Sequence, residues 1–187
     1  MIFAADAVKR QFRKERFMNL SFIGTSLALA AGIFAGSLSA NSLPNPTGPV
    51  VLSVTGAIER INGEAAASFD MALLHSLEQS EITTDTIWTP GTHQFSGVLL
   101  KTLLKEVGAS GSRVTAFAIN DYSVVIPISD ATDAGPIVAF AMDGQPMSRR
   151  EKGPLWIIYP YSSGSEYRTE VIYARSIWQL NRLHIEE

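Results

Sequence analysis

Residues 95–109 read FSGVLLKTLLKEVGA and contain the clearest helical pattern of the chain. Apolar residues recur there at the spacing of one helix face, which predicts a helix over Ser96–Val107. Its predicted buried side consists of Val98, Leu99, Leu103 and Val107. Gly108 follows at a position where a glycine commonly ends a helix. This predicted helix therefore provides the reference for the elements predicted on either side of it.

A second amphipathic pattern precedes it and predicts a helix over Phe69–Gln79, with Ser68 as its N-cap and Asp70 favourable in its first turn. Elsewhere β-branched and aromatic residues predominate, with turn signals at Asn62-Gly63 and Asp143-Gly144. The predicted strands are Val50–Ile61, Val114–Ile119, Val124–Ile128, Ile137–Met142, Leu155–Tyr159 and Glu170–Ile185. Two helices in one half and mostly strands in the other predict the α+β class.

The amino terminus has the pattern of an export signal. A basic segment ending at Arg16 precedes residues 20–40, which carry no charge and are rich in small residues. This predicts a cleaved signal peptide over residues 1–40, a linker over residues 41–49 and one domain over residues 50–187. The alternative is an uncleaved membrane anchor, because about 20 apolar residues span a bilayer. Both interpretations place the domain outside the cytoplasm.

The part after residue 40 is acidic. Residues 1–40 hold five of the 15 Lys and Arg and two of the 18 Asp and Glu, which leaves ten bases, sixteen acids and a net charge of −6. Nucleic-acid binding is not expected, because phosphates require a basic surface. The chain contains no cysteine, so its stability must come from the burial of a core, which its length allows.

Trp88 and His93 are candidate ligand contacts in a Thr-Pro-Gly segment predicted to be a loop. A flat ring in a loop suits stacking on a flat heterocycle. The alternative for Trp88 is a core side chain packed beneath the loop. His93 can donate to a carbonyl or change its charge near neutral pH. The alternative for His93 is simple exposure to solvent.

A polar segment follows the predicted strand Leu155–Tyr159 and is expected to be a long loop. Its hydroxyl groups and main-chain amides, at the end of a strand, suit the many donors and acceptors of a flat heterocycle. The candidate ligand-binding residues here are Tyr159, Tyr161, Ser162, Ser163, Tyr167 and Arg168. The alternative is a flexible surface loop.

Arg149 and Arg150, together with Lys152, concentrate positive charge in an acidic domain. Arginine pairs with phosphate and carboxylate groups in a bidentate manner, so these residues are candidates for contact with a ligand phosphate or an acidic partner. The alternative is a solvated hairpin tip.

The sequence supports neither a catalytic constellation nor a metal site. The three histidines, His75, His93 and His184, share no metal-ligand spacing. The carboxylates form no recognisable acid–base pair, and the segment Ser163-Gly164-Ser165 lacks the pattern of a nucleophile elbow. No catalytic or metal-ligating residue is therefore predicted.

Five segments resemble, in order, the sulfite-oxidase-type molybdopterin-binding domain family. They are FSGVLLKTLLKEVGA (95–109), NDYSVVIPISDA (120–131), IVAFAMDGQPM (137–147), KGPLWIIYP (152–160) and SIWQLNRLHI (176–185). Order and spacing match over about residues 50–185. The resemblance implies an α+β fold of mixed sheets with a few helices and a cleft that holds a pterin cofactor.

The chain departs from that family at the metal ligand. Family members hold molybdenum through one cysteine thiolate, and alignment on Gly97 places that position near Asp85. The hydroxyl, carboxylate and indole groups of residues 84–88 do not replace a soft thiolate. The arginine that the family carries in the segment KGPLWIIYP is Trp156 or Ile157 here. Molybdenum-dependent oxygen transfer is therefore not expected.

The resemblance also implies a function. Exported, cysteine-less proteins of this kind bind a pterin in the old cofactor cleft and occur beside membrane cyclic-di-GMP cyclases and phosphodiesterases. We therefore expect a periplasmic, non-catalytic pterin-binding domain that reports its ligand to such an enzyme. The alternatives are an oxidoreductase subunit that retains molybdopterin with an atypical metal ligand set, and a structural module whose cleft has collapsed.

Overall fold

A computed structural model describes residues 42–187 of the chain. The predicted signal peptide or anchor over residues 1–40 lies outside the described residues. The strands are β1 (Leu52–Gly56), β2 (Ala67–Phe69), β3 (Gln79–Thr86), β4 (Thr89–Leu99), β5 (Arg113–Ala118), β6 (Ser123–Pro127), β7 (Ile137–Met142), β8 (Gln145–Pro146), β9 (Trp156–Ile158) and β10 (Leu180–Glu186). The α-helices are α1 (Met71–Ser76), α2 (Leu100–Glu106) and α3 (Glu170–Arg175), and short 3-10 helices span Ile128–Asp130, Tyr161–Ser163 and Ser165–Tyr167. Within residues 42–187, no helix is long and apolar enough to cross a membrane.

The strands form two five-stranded sheets. The first has the order β2-β1-β10-β5-β6, in which β1 and β10 are parallel and the other neighbours are antiparallel. The second has the order β3-β4-β7-β8, and β9 also pairs with β7. All pairs of the second sheet are antiparallel. Mixed sheets with a few short helices confirm the predicted α+β class.

The predicted helix over Ser96–Val107 is wrong in its first turn, because α2 begins at Leu100. Residues Ser96–Leu99 belong to β4 and pair with β7. At Gly97 the two backbones approach so closely that an added side chain would collide with the backbone of Val138. Strand pairing therefore overrides the helical pattern here. Gly108 has a φ of 64° and ends the helix as predicted.

The predicted helix over Phe69–Gln79 is also shortened. Phe69 lies in β2, and α1 is capped by Asp70 instead of Ser68, with the Asp70 carboxylate accepting from the Leu73 amide at 2.8 Å. The same carboxylate accepts from the amides of Thr47 and Gly48 at 2.8 and 2.7 Å. Asp70 therefore joins the segment predicted as a linker to the domain.

One strand prediction is wrong in a larger way. The predicted strand over Glu170–Ile185 contains α3 and then β10, because Thr169 caps a helix by accepting from the Ile172 amide. The residues around Trp88, predicted as a loop, form the tight turn of the long β3–β4 hairpin. The predicted strand Ile137–Met142 is confirmed as β7.

Three other predicted strands exist with shifted bounds, and one is much shorter. The strand predicted over Val50–Ile61 is reduced to β1, since the chain turns away after Gly56. The strands predicted at Val114–Ile119, Val124–Ile128 and Leu155–Tyr159 correspond to β5, β6 and β9. The turn at Asp143-Gly144 is confirmed, with φ angles of 51° and 73° at its two residues.

Candidate functional site

The three tryptophans of the chain lie together although they are distant in sequence. The ring centroids of Trp88 and Trp156 are 5.6 Å apart, those of Trp88 and Trp178 5.7 Å, and those of Trp156 and Trp178 6.5 Å. All three pairs meet edge to face, an arrangement that aromatic rings prefer. Trp156 is fully buried, Trp88 is half-buried and Trp178 is 38% exposed. The cluster therefore runs from the core to the surface.

The β3–β4 turn determines where Trp88 lies. The hydroxyl oxygen of Thr86 accepts from the amides of Trp88 and Thr89 at 3.1 and 3.0 Å. Within this two-residue turn Ile87 is 62% exposed, whereas the Trp88 ring packs against the core. A short turn with a hydroxyl cap thus holds a large ring inward at the edge of a sheet.

Backbone hydrogen bonds to the segment before β9 hold Trp178. The Gln179 amide donates to the Lys152 carbonyl at 2.9 Å, and the Leu180 amide donates to the Leu155 carbonyl at 2.9 Å. The buried Trp156 indole N–H donates to the Ser176 carbonyl at 3.0 Å. These bonds fix the short connection between α3 and β10 at the side of the tryptophan cluster.

Trp88 and Trp178 both line an aromatic cavity of about 410 Å³. Its lining residues are Trp88, Ala118, Asn120, Tyr122, Tyr173, Ala174, Ser176, Ile177, Trp178 and Gln179. None of these residues is charged, and the polar groups are amides and hydroxyls. Its volume lies in the range of small-molecule sites, which is about 300–1,000 Å³. The cavity can therefore accept a flat, neutral heterocycle against aromatic walls.

A second cavity, of about 420 Å³, lies on another side of Trp88. Its lining residues are Trp88, Thr89, Met142, Met147, Arg150, Glu151, Lys152 and Trp156. The Lys152 ammonium group lies 4.5 Å from the Trp178 ring centroid and 5.3 Å from that of Trp156. Such distances permit a cation–π attraction. Lys152 therefore connects the second cavity with the tryptophan cluster.

Tyr159 and Tyr161, both predicted ligand contacts, are buried. The Tyr159 hydroxyl donates to Asp130 at 2.7 Å, and burial raises the pKa of Tyr159, with the Asp130 carboxylate adding to the rise. The Tyr161 hydroxyl donates to Ser176 at 2.6 Å, and burial raises the pKa of Tyr161 to about 12. Both hydroxyls have partners within the domain, and neither residue lines the aromatic cavity.

The rest of the segment predicted as a long loop forms two 3-10 helices instead. Ser162 contacts Thr84 at 3.0 Å and donates to the Asp85 carboxylate, and this bond lowers the pKa of Asp85. The Arg168 side chain donates to the Tyr161 carbonyl at 2.7 Å and lies 3.9 Å from Asp85. Ser162, Ser163 and Arg168 are exposed, and Tyr167 is half-buried near Tyr159. These residues lie outside the aromatic cavity.

His93 lies in β4 and forms an ion pair with Asp143 of the β7–β8 turn. Nδ1 of His93 is 2.6 Å from Oδ2 of Asp143, and Nε2 is 3.0 Å from the Pro90 carbonyl. Hydrogen bonding to Asp143 raises the pKa of His93 and lowers the pKa of the carboxyl group. Both ring nitrogens face acceptors, so the protonated imidazole fits this position best.

Arg149 and Arg150 are exposed in the turn that precedes β9. Arg150 lines the second cavity, whereas Arg149 lines neither cavity. The Gln179 side chain donates to the Arg149 carbonyl at 2.7 Å, which ties this turn to the wall of the aromatic cavity. Two of the residues predicted from the sequence, Trp88 and Arg150, line the second cavity. Trp88 is the one predicted residue that lines the aromatic cavity.

Nine of the ten residues that line the aromatic cavity were not predicted from the sequence, among them Asn120, Tyr122, Tyr173, Trp178 and Gln179. Tyr122 and Trp178 are large exposed side chains, at 56% and 38% exposure. The pairing of β5 with β6 and with β10 brings the β5–β6 turn beside the segment after α3, and only the tertiary fold shows this. The one signal for these residues in the sequence was the tryptophans themselves. Tryptophan is rare, and all three tryptophans of the chain lie in the cluster.

The residues present fit the ring of a pterin cofactor better than they fit its metal. The chain has no cysteine to supply a thiolate, and the Asp85 carboxylate at the position expected for that ligand already accepts from Ser162. Within residues 42–187, no cluster of three or more His, Asp or Glu side chains is arranged to hold a metal ion. The aromatic cavity offers a flat ring stacking surfaces and hydrogen-bonding groups.

Both a family model and solved structures match the chain. A family model described as oxidoreductase molybdopterin-binding domain matches residues 75–168, half of the chain. Among solved structures, the chain is similar to the sulfane dehydrogenase SoxCD from Paracoccus pantotrophus, with a TM-score of 0.56 and 16% identity over 72% of this chain. The match spans 37% of the SoxCD chain, and at this identity it shows the fold alone. No curated protein matches the chain. The matches confirm the sulfite-oxidase-type fold that the five segments predict.

Proposed function

This chain belongs to the oxidoreductase molybdopterin-binding domain family, and we propose that it binds a pterin in the aromatic cavity without holding molybdenum. One observation carries the proposal. Trp88 and Trp178 of the tryptophan cluster line a cavity of about 410 Å³ in a chain that has no cysteine. The proposal therefore keeps a ring-binding cavity and omits the thiolate ligand of the family.

The lining of the aromatic cavity matches the chemistry of a pterin ring. Trp88 and Trp178 provide rings for stacking or edge contacts with a flat heterocycle. Asn120, Tyr122 and Gln179 provide amide and hydroxyl groups for the donors and acceptors on the ring edge. No charged residue lines the cavity, which favours a neutral ring because burial of an unpaired charge is costly.

The proposed role is binding without catalysis. Asp85 occupies the position where the resemblance places the metal ligand, and its carboxylate is hydrogen-bonded to Ser162. Trp156 or Ile157 stands where the resemblance places the family's arginine, and both side chains are fully buried. Neither position provides a soft ligand or a cation for a substrate anion, so we propose no oxygen-transfer step.

We further propose that the domain acts in the periplasm and reports its ligand to a membrane cyclic-di-GMP cyclase or phosphodiesterase. The export pattern of residues 1–40 supports the location. The choice of partner follows from the family resemblance. A ligand changes such a complex only if it binds the free and complexed states with different affinities.

Titration with 6-hydroxymethylpterin, an uncharged pterin, tests the binding proposal. Quenching of tryptophan fluorescence should saturate, because Trp88 and Trp178 line the cavity and Trp156 packs against both rings. Trp178→Ala should weaken binding by about 1–2 kcal/mol, the scale of one aromatic contact. Val171→Ala is the matched control, since Val171 is an exposed apolar residue outside the cavity lining. Equal affinities for both variants and the unaltered chain would reject the cavity as the site.

Affinity capture from solubilised membranes tests the partner proposal. The immobilised chain should retain a cyclic-di-GMP cyclase or phosphodiesterase, and in different amounts with and without 6-hydroxymethylpterin. Recovery of no such enzyme under either condition would contradict the signalling role and leave the pterin-binding proposal intact.

A further inference from the structure

The basic residues of the described part are unevenly paired. Six of its ten Lys and Arg side chains form ion pairs, namely Arg60, Lys101, Arg113, Arg168, Arg175 and Arg182. Of the other four, Lys105 lies on α2, and Arg149, Arg150 and Lys152 lie in one turn, residues 148–152. We call this segment the basic turn. It also contains Glu151, so it carries a net charge of +2 in an acidic domain.

The second cavity adjoins the basic turn and has an apolar floor with a charged rim. Met142, Met147 and Trp156 form the floor, and Arg150 and Lys152 of the turn stand at the rim together with Glu151. This combination suits a carboxylate side chain that is flanked by apolar ones. The carboxylate of the docked segment pairs with Arg150 and Lys152, and the apolar side chains beside that carboxylate cover Met142 and Met147.

The basic turn is bonded directly to a residue of the aromatic cavity. The Gln179 side-chain amide donates to the Arg149 carbonyl at 2.7 Å and to the Glu151 carbonyl at 3.4 Å, and the Gln179 backbone amide donates to the Lys152 carbonyl at 2.9 Å. Gln179 has a φ of 51°, an uncommon conformation for a residue other than glycine. Beside it, the Trp178 ring lies 4.5 Å beneath the Lys152 ammonium group.

We propose that the basic turn, with the second cavity, docks an acidic segment of another polypeptide, and that Gln179 makes this docking depend on occupancy of the aromatic cavity. The inference rests on the proposed pterin-binding function and assigns its output surface. A ring in the aromatic cavity that bonds to the Gln179 amide competes with the carbonyls of Arg149 and Glu151. The basic turn then changes its conformation, and its affinity for the acidic segment changes with it.

Charge substitution in the full chain tests the docking surface. The probe is a capped synthetic peptide of alternating glutamate and leucine, and its affinity should fall as salt is added. Arg150→Glu should weaken peptide binding roughly fivefold, since it replaces an attraction with a repulsion at the rim. Lys105→Glu is the matched control, because it makes the same charge change at an exposed base on α2 and should have little effect. Equal losses in both variants would overturn the proposed surface.

Hydrogen exchange tests the link through Gln179. Saturating 6-hydroxymethylpterin should alter amide exchange at the cavity wall, residues 173–178, and also in the basic turn. In Gln179→Asn, which retains an amide group on a shorter side chain and tolerates a positive φ, saturating ligand should alter exchange at the wall alone. A response of the basic turn in both proteins, or in neither while the wall responds, overturns the link and leaves pterin binding standing. If neither region responds in the unaltered chain, the proposed function itself fails.

Discussion

Trp88 and Trp178 meet edge to face with their ring centroids 5.7 Å apart, one from the β3–β4 turn and the other from the connection between α3 and β10. The first segment belongs to one sheet and the second leads into the other. Both rings line the aromatic cavity, which therefore depends on the tertiary fold. A ligand held there would touch both sheets.

Trp88→Ala is expected to change both ligand affinity and stability. The loss of one aromatic contact should weaken pterin binding by about 1–2 kcal/mol. Because the Trp88 ring also packs against Trp156 and Tyr173, the free energy of unfolding should fall by about 1–3 kcal/mol. Fluorescence titration and denaturant unfolding measure the two effects.

Ile87→Ala is the matched control for Trp88, since it changes the neighbouring residue of the same turn and its side chain is 62% exposed. It should alter the free energy of unfolding by less than about 0.5 kcal/mol. If Trp88→Ala lowers stability while the affinity of the folded fraction is unchanged, Trp88 is a core residue and not a ligand contact.

Tyr161→Phe separates a packing role from a ligand-binding role. Its hydroxyl donates to Ser176 inside the domain at 2.6 Å, so its removal should lower the free energy of unfolding by about 0.5–1.5 kcal/mol. Pterin affinity should stay close to that of the unaltered chain, because Tyr161 does not line the aromatic cavity. A clear loss of affinity would support the prediction from sequence that Tyr161 contacts the ligand.

The His93–Asp143 pair should make stability depend on pH. The pKa of His93 is raised in the folded chain, chiefly by its hydrogen bond to Asp143. The stabilisation from this histidine is therefore complete below the ordinary imidazole pKa of about 6.5 and is lost as the pH rises through the raised value. Asp143 has a lowered pKa, so its contribution is present above about 3.8 and is lost as the pH falls further.

Asp143→Asn tests this pH dependence while retaining a residue that tolerates the φ of 51° at that position. The unaltered chain should exceed the variant in free energy of unfolding by more at about pH 6 than at about pH 9. Chemical denaturation at both pH values gives the two differences. A difference that is the same at both, or that grows with pH, would show that the protonated pair does not stabilise the fold.

Asp85→Cys should not create an active molybdenum enzyme. The new thiol would lie near the position that the resemblance assigns to the metal ligand, but a buried apolar side chain, Trp156 or Ile157, still stands where the resemblance places the family's arginine. Sulfite and sulfoxide turnover should therefore remain undetectable in the variant. Turnover together with bound molybdenum would show that the rest of the catalytic site is intact.

The sequence predicted the class of the fold because the relevant signals are local. The apolar run Ile137–Met142 and the turn at Asp143-Gly144 predicted β7 and the hairpin that follows it, and both are confirmed. The β3–β4 hairpin was missed, because its strands are polar and its turn looked like a loop. Those strands are stabilised by pairing with each other and with β7, which no local pattern reveals.

The candidate site was less accessible from sequence than the fold. Trp88 stood out as a rare side chain in an apparent loop, and the structure places it at both cavities. Tyr159 and Tyr161 seemed available because a polar segment follows them, yet their rings are buried and their hydroxyls bond within the domain. The side on which a strand presents its residues depends on what packs against it, and this is a tertiary property.

The central claim is that this chain carries a pterin without molybdenum, and one measurement addresses it directly. The protein should be purified from its own cells, and the small molecules released on denaturation should be identified by mass spectrometry, with elemental analysis of the same sample. We predict a pterin at a stoichiometric level and no stoichiometric molybdenum. Molybdenum at about one atom per chain, or no pterin in any preparation, would contradict the claim.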